Sequence, residues 1–198
     1  MTHFRAKQVN VTTSLEESFA FPDVEGAFRK LWGRIHGCQT WNSPSLLELA
    51  VTLTTGKINT DDFPQSIALP TWQISQEFML NFTAFARFML DIEHAPDELL
   101  SASGGRKEYK LQVRLYCHYS WVFHTSRDWL RMGHRCAKVG DLLVVFDNGP
   151  TPYIIRLVSD KPGKFILMGP CFVYYLASGQ INDLMGQEGF EERTFDLI

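Results

Sequence analysis

Apolar residues in the first half of this chain recur every three or four positions, whereas those after Ser120 follow the shorter period of strands. The first spacing places apolar side chains along one face of a helix. Ser43-Pro44 is a strong helix start, because serine caps an N-terminus and proline fits the first turn, and Gly56 is a matching stop. The pattern predicts helices over residues 22–36, 43–56, 73–93 and 95–102.

Two further segments carry mixed signals. The first twenty residues have no clear period, although their valines and threonines favour extended structure. Residues 107–119 suit one more helix, but the alternation of Leu111, Val113 and Leu115 would also suit a strand. The sequence alone does not decide the structure of either segment.

The second half contains short runs of β-branched and aromatic residues, separated by turn sequences such as Asp147-Asn148-Gly149-Pro150. The predicted strands cover residues 121–125, 129–132, 142–146, 153–158, 164–168, 171–176 and 190–198. Strands of this length and spacing predict a small, strongly bent antiparallel β-barrel. We therefore predict an α+β fold, with a helical layer packed on the barrel. It forms one domain of residues 1–198, mainly helical over 1–119 and barrel-forming over 120–198.

Composition and charge exclude several classes of protein. The formal net charge is −3 and the 19 basic residues do not cluster, so we expect no nucleic-acid partner. The four cysteines stand far apart without a zinc-type spacing, and no apolar stretch is long enough to cross a membrane. The polar start lacks the apolar segment of a secretory signal. These features predict a cytoplasmic protein with reduced thiols, no metal and no cofactor.

One set of residues in the second half has an order and spacing that occur in a known family. These residues are Phe123, Thr125, Leu130, Gly133, Gly140, Asp141, Pro152, Arg156, Leu167 and Gly169. The set resembles the segment that ends fungal heterokaryon-incompatibility (HET-domain) proteins. Nothing upstream resembles the N-terminal HET domain, which in that family is similar to a NAD-cleaving Toll/interleukin-receptor fold. The resemblance therefore implies the fold of the final segment, and we expect no NAD cleavage.

Most of these shared residues have structural explanations. Gly140 permits a turn at a strand entry, where Asp141 can cap backbone N–H groups. Pro152 suits a strand start, and Gly169 suits a bend or bulge. Arg156 is expected to clamp a carboxylate or backbone carbonyls, with ligand binding as the less favoured alternative. The shared residues therefore indicate a particular fold, and they do not by themselves indicate a catalytic function.

This chain departs from the family pattern by placing rings and ionisable groups where the family has glycines, surface arginines or small residues. Random drift is one explanation. The other is a pocket at one end of the barrel, with aromatic walls, proton carriers and a cation for a developing oxyanion. The candidate catalytic residues are His124, Asp128 and His134. The candidate substrate-binding residues are Trp121, Arg131, Arg156, Tyr174 and Tyr175.

The leading hypothesis is a small apolar molecule bound at the barrel mouth, with a cofactor-free isomerisation or cyclisation of fungal secondary metabolism performed there. The alternative is a non-enzymatic interaction or regulatory module, in which apolar helix faces and tryptophans mark a protein interface. A pocket lined by Trp121, His124 and Tyr174 would favour the first. A flat apolar patch on the helix predicted over 73–93 would favour the second. Whether the protein forms a homodimer stays open.

Overall fold

A computed structural model describes residues 2–18, 24–34, 44–56, 76–90, 105–118, 120–126, 129–147, 149, 151–176 and 191–198. The chain divides into two compact units. The helical unit comprises Glu17–Tyr119, and the sheet unit comprises Met1–Glu16 together with Ser120–Ile198. The elements of the described residues make this an α+β protein, as the sequence predicts. The packing of a helical layer on the sheet stays a prediction.

The helical unit contains four helices among the described residues. They are α1 (Val24–Arg34), α2 (Pro44–Leu53), α3 (Gln76–Leu90) and α4 (Arg106–Tyr116). The first three confirm the predictions from apolar spacing, with ends that lie inside the predicted bounds. For residues 107–119 the sequence allows a helix or a strand, and the structure shows the helix α4. The short helix predicted over 95–102 lies outside the described residues.

Tyr109 stands at the centre of the helical unit and joins three of its helices. Its hydroxyl donates a hydrogen bond of 2.7 Å to the carbonyl oxygen of Ala50 in α2. Its ring packs 5.0–5.6 Å from three rings of α3, those of Phe78, Phe82 and Phe85. Phe85 in turn meets Phe28 of α1 edge-on at 5.1 Å. The aromatic stripe of α3 is therefore mostly core, and among its phenylalanines only Phe88 is exposed.

The sheet unit contains seven strands among the described residues. They are β1 (Thr2–Ser18), β2 (Ser120–Thr125), β3 (Leu130–His134), β4 (Leu142–Phe146), β5 (Tyr153–Leu157), β6 (Lys164–Val173) and β7 (Glu191–Leu197). Their order is β2-β3-β6-β5-β4-β1-β7, with additional pairings of β1 with β2 and of β6 with β7. Apart from the parallel contact of β6 with β7, the described registers are antiparallel.

Two strand predictions need correction. Residues 164–168 and 171–176 are not separate strands, because β6 runs through both and ends at Val173, followed by the 3-10 helix Tyr174–Leu176. Gly169 has a φ of 140°, and its pairing with Ile154 adjoins a register shift in β5. This glycine therefore forms the bulge that its position suggested, and the bulge bends β6 without ending it.

The apolar residues of the sheet form two clusters on opposite faces of β4. The Phe123 cluster consists of Phe123, Ala137, Leu143, Val145, Ile154, Cys171, Val173 and Leu176. The Phe195 cluster consists of Ala6, Val144, Ile155 and Phe195. Successive strand residues point to opposite faces, so β4 supplies Leu143 and Val145 to one cluster and Val144 to the other. Both faces of this strand are consequently buried.

No helix among the described residues has the length and apolar character needed to cross a membrane.

Candidate functional site

The β2–β3 ladder divides the candidate residues between two ends of the sheet. Its register pairs His124 with Leu130 at one end and Ser120 with His134 at the other. Trp121 and His124 are three residues apart, about 10 Å along a strand at roughly 3.3 Å per residue. We call the end that carries His124 and Leu130 the turn end, and the end that carries Trp121 and His134 the loop end.

The same register also divides the candidates between two faces. Arg131 lies opposite Phe123 on β2 and Val173 on β6, and directly paired residues share a face. Trp121 shares this face because it is two residues from Phe123, against whose cluster it packs. His124 and His134 fall on the other face by the same alternation. Trp121 and the two histidines therefore do not converge.

An aromatic cluster lies at the turn end, and we call it the Trp129 cluster. The guanidinium carbon of Arg131 lies 4.5 Å from the centroid of the Trp129 ring. Trp129 packs against Tyr175 at 5.2 Å with the planes tilted by 35°, and Tyr175 meets Tyr174 edge-on at 5.1 Å. A planar cation over an indole is attracted by the negative face of the ring. The cluster thus joins four side chains: Arg131 of β3, Trp129 just before this strand, and Tyr174 and Tyr175 of the 3-10 helix.

Local backbone geometry explains how these four residues meet. The amide of Thr125 donates to the carbonyl oxygen of Trp129 at 3.2 Å, which closes the turn between β2 and β3. Val173 pairs with Arg131, so the 3-10 helix that follows β6 begins beside the start of β3. Tyr175 is thereby brought against Trp129.

Arg131 is fully buried although it is charged. Its Nη1 donates 2.6 Å to the carbonyl oxygen of Leu130. Burial raises the pKa of the nearby Cys171 thiol to about 12, with the Arg131 cation acting in the opposite direction. Burial therefore keeps Cys171 a protonated thiol at neutral pH. Arg131 is the one charged side chain among the four residues of the Trp129 cluster.

Arg156 forms a clamp at the loop end. Its Nε donates 2.7 Å to Oδ1 of Asp141, and its Nη2 donates 2.8 Å to Oδ2 and 2.5 Å to the carbonyl oxygen of Cys136. The hydrogen bond to Asp141 is the main cause of a raised Arg156 pKa. Asp141 is only 2% exposed and also accepts from the amide of Lys138. This geometry confirms the carboxylate clamp and the Asp141 cap, and it leaves Arg156 engaged in structure.

Trp121 and His134 also hold the backbone of the loop end. The indole Nε1 of Trp121 donates 2.8 Å to the carbonyl oxygen of Arg135. Nδ1 of His134 accepts a 3.3 Å hydrogen bond from the amide of Cys136. Gly140, with a φ of 91°, provides the sharp turn that returns the chain to β4. Trp121 and His134 thus each hold the backbone of residues 135–136, from opposite faces of the sheet and away from the Trp129 cluster.

The structure therefore distributes the candidates over two places. Arg131, Tyr174 and Tyr175 come together at the turn end, while His124 occupies the opposite face there. Asp128 lies outside the described residues, between Thr125 and Trp129 in the chain. Sequence reasoning missed Trp129 as a site residue, although a usable signal existed. Positions 129 and 131 are two apart in a predicted strand, so their side chains share a face.

The described residues contain no group of three or more His, Cys, Asp or Glu side chains that could hold a metal ion. Comparison with protein-family models, with curated proteins and with solved structures finds no match to this chain. The relationship to HET-domain proteins consequently stays a prediction from the motif.

Proposed function

We propose that this protein binds a small, planar, largely apolar molecule at the Trp129 cluster. The observation that carries the proposal is the fully buried Arg131 cation lying 4.5 Å from a half-buried indole, which packs on a half-buried tyrosine. Tryptophan and tyrosine offer flat apolar walls with polar tips, and ligand sites commonly combine such walls with a few fixed polar groups. A ligand with a conjugated ring and one electronegative oxygen fits this combination.

A closed sheet would supply the mouth in which such a ligand rests. We propose that the strands close into the small barrel that the sequence predicts. The additional pairings of β1 with β2 and of β6 with β7 support closure, because they connect strands at both ends of the order. The Trp129 cluster would then lie at one rim, where loops and strand ends from several strands meet.

A cofactor-free isomerisation or cyclisation is the reaction we propose for this site. The Arg131 cation would stabilise negative charge that develops on a substrate oxygen, and a water-excluded position strengthens that effect. Asp128, which directly precedes Trp129 in the sequence, is the candidate proton carrier, because His124 points to the opposite face of the sheet. The step needs no co-reactant, because the proton removed from one substrate carbon is returned to another.

Calorimetric titration with a panel of planar apolar metabolites tests the binding proposal. Saturable binding to the unmodified protein should weaken about tenfold or more in Trp129→Leu, which keeps apolar bulk but removes the indole. Trp32→Phe, in α1 of the helical unit, is the matched control and should bind as the unmodified protein does. An equal loss of affinity in both variants would contradict a site at the Trp129 cluster. So would the absence of saturable binding by any compound in a broad panel.

A further inference from the structure

Helix α4 exposes two leucines on its solvent side. Its inner face buries Tyr109, Gln112 and Val113. Leu111 and Leu115, one turn apart, are each 56% exposed. Residues four apart are neighbours on a helix surface, so these two leucines form a short apolar ridge. The ridge therefore adds exposed apolar surface on the side of α4 opposite its buried residues.

Basic residues lie along one side of this ridge, where Lys107 and Arg114 are its neighbours, and Glu108 lies on the other side. Helix α4 carries four of them, Arg106, Lys107, Lys110 and Arg114, against the single acidic residue Glu108. The whole chain has a formal charge of −3, so this excess of positive charge is local to α4. Lysine and arginine beside exposed leucines create a surface complementary to an acidic, amphipathic partner.

The apolar surface continues onto α3 through Phe88, which is 46% exposed. The guanidinium carbon of Arg106 lies 4.5 Å from the Phe88 ring centroid, and Nζ of Lys110 lies 5.7 Å from it. Nζ of Lys110 also donates 3.0 Å to Oε1 of Glu25 in α1. These contacts fix the two cations beside the ring. We call the surface formed by Phe88, Arg106, Lys107, Leu111, Arg114 and Leu115 the α4 face.

We propose that the α4 face docks an acidic amphipathic helix of a partner protein. The rows of side chains four apart on α4 form a ridge, and a partner helix offers the matching groove. Leucines of that helix would cover Leu111 and Leu115, while its flanking Asp and Glu residues would pair with Lys107 and Arg114. The inference is independent of the small-molecule proposal, because it concerns the helical unit alone.

A membrane surface fits this face less well. Helices that lie on membranes present a broad apolar face of Trp, Phe and Leu to the lipid. Helix α4 buries Tyr109, Gln112 and Val113 and exposes only the two leucines as large apolar side chains. Its basic residues would attract anionic lipid, but little apolar area would enter the bilayer. A protein helix, which needs only a ridge to pack on, is the better match.

The experiment uses fluorescence anisotropy with the full chain and a labelled synthetic helix that carries leucines on one face and glutamates along both flanks. The probe should bind saturably, and its affinity should fall with added salt. Leu111→Gln/Leu115→Gln should weaken binding about tenfold or more, and Lys107→Glu several-fold. Leu157→Gln, at a 54% exposed leucine of the sheet unit, should leave binding unchanged. Circular dichroism checks that each variant stays folded.

Three results would overturn the proposal. The first is equal binding of a probe in which every glutamate is replaced by lysine. The second is unchanged affinity in the double leucine variant. The third is binding of anionic phospholipid vesicles through the same leucines without saturable binding of the peptide, which would make the α4 face a lipid surface.

Discussion

The guanidinium carbon of Arg131 in β3 lies 4.5 Å from the indole centroid of Trp129, the residue that directly precedes this strand. A fully buried arginine has lost its hydration, so its environment must compensate a large desolvation penalty. The indole supplies part of that compensation through its quadrupole, and the Leu130 carbonyl oxygen supplies a hydrogen bond. The contact therefore matters to stability as well as to any ligand.

Replacement of Arg131 by alanine should lower the free energy of unfolding by about 3 kcal/mol, because it leaves a cavity beside Trp129 and removes the cation–π contact. Urea denaturation followed by tryptophan fluorescence measures the change. Lys138→Ala, at an exposed side chain of the following loop, should shift stability by less than about 0.5 kcal/mol. A loss below about 1 kcal/mol in Arg131→Ala would show that the contact contributes little.

Apolar periodicity was sufficient to predict three of the four described helices, because amphipathic helices display their core-facing residues at a fixed spacing. The secondary structure of residues 164–176 was harder to predict, because Gly169-Pro170 has the composition of a turn. Tertiary pairing overrides that composition, because β5 holds both arms of β6 across the bulge. The long first strand was also ambiguous, and its pairing with β4 and β7 comes from residues far away in the sequence.

The candidate site was predictable only in part. A single sequence shows neither the face of the sheet to which each side chain points nor the register in which the strands pair. Arg131, Tyr174 and Tyr175 were identified from their chemistry and from their departure from the family pattern, and the pairing of Val173 with Arg131 brings them together. His124 and Trp121 belong to one strand, but an odd separation sends their side chains to opposite faces. Register is set by long-range pairing and turn geometry, so the division into two ends required the structure.

The pair Asp141 and Arg156 should behave as a coupled unit. Asp141→Ala or Arg156→Ala alone should lower the free energy of unfolding by about 2–3 kcal/mol, because each leaves a partner without its ion pair. Arg156 is 26% exposed, so solvent screening keeps the loss toward the lower value. The double variant should lose about 1–2 kcal/mol less than the sum of the two, as measured by a double-mutant cycle. Strict additivity would contradict the clamp.

Replacement by alanine should change the stability of the protein in opposite directions at two glycines. A Cβ at Gly133 would lie 2.7 Å from Cδ1 of Ile154 and 3.2 Å from Cβ of Cys171, so Gly133→Ala should cost about 1–3 kcal/mol by overpacking. A Cβ at Gly33, inside α1, meets no atom within 4 Å, so Gly33→Ala should stabilise by up to about 1 kcal/mol through helix propensity. Thermal denaturation of the two variants and of the unmodified protein measures both changes in stability. A gain in Gly133→Ala would show that the Phe123 cluster has unfilled space.

Burial of Cys171 should make part of the stability sensitive to alkaline pH. Burial raises the pKa of this thiol from its ordinary value of 9.0 to about 12. Between these values the unfolded chain releases a proton that the folded chain retains, so stability falls as the pH rises. The loss is absent below pH 9.0 and amounts to about 1.4 kcal/mol per pH unit above it.

Urea denaturation of the unmodified protein and of Cys171→Ala, at several pH values between about 8 and 10.5, isolates this effect. The stability difference between the two proteins should shrink as the pH rises, because the alanine variant lacks the titrating thiol. Tyr109 and Cys117, whose pKa values burial also raises, are present in both proteins and cancel. Val139→Ala, at an exposed apolar residue, removes no titrating group and should show a constant difference. A constant difference for Cys171→Ala as well would mean that solvent reaches this thiol in the folded state.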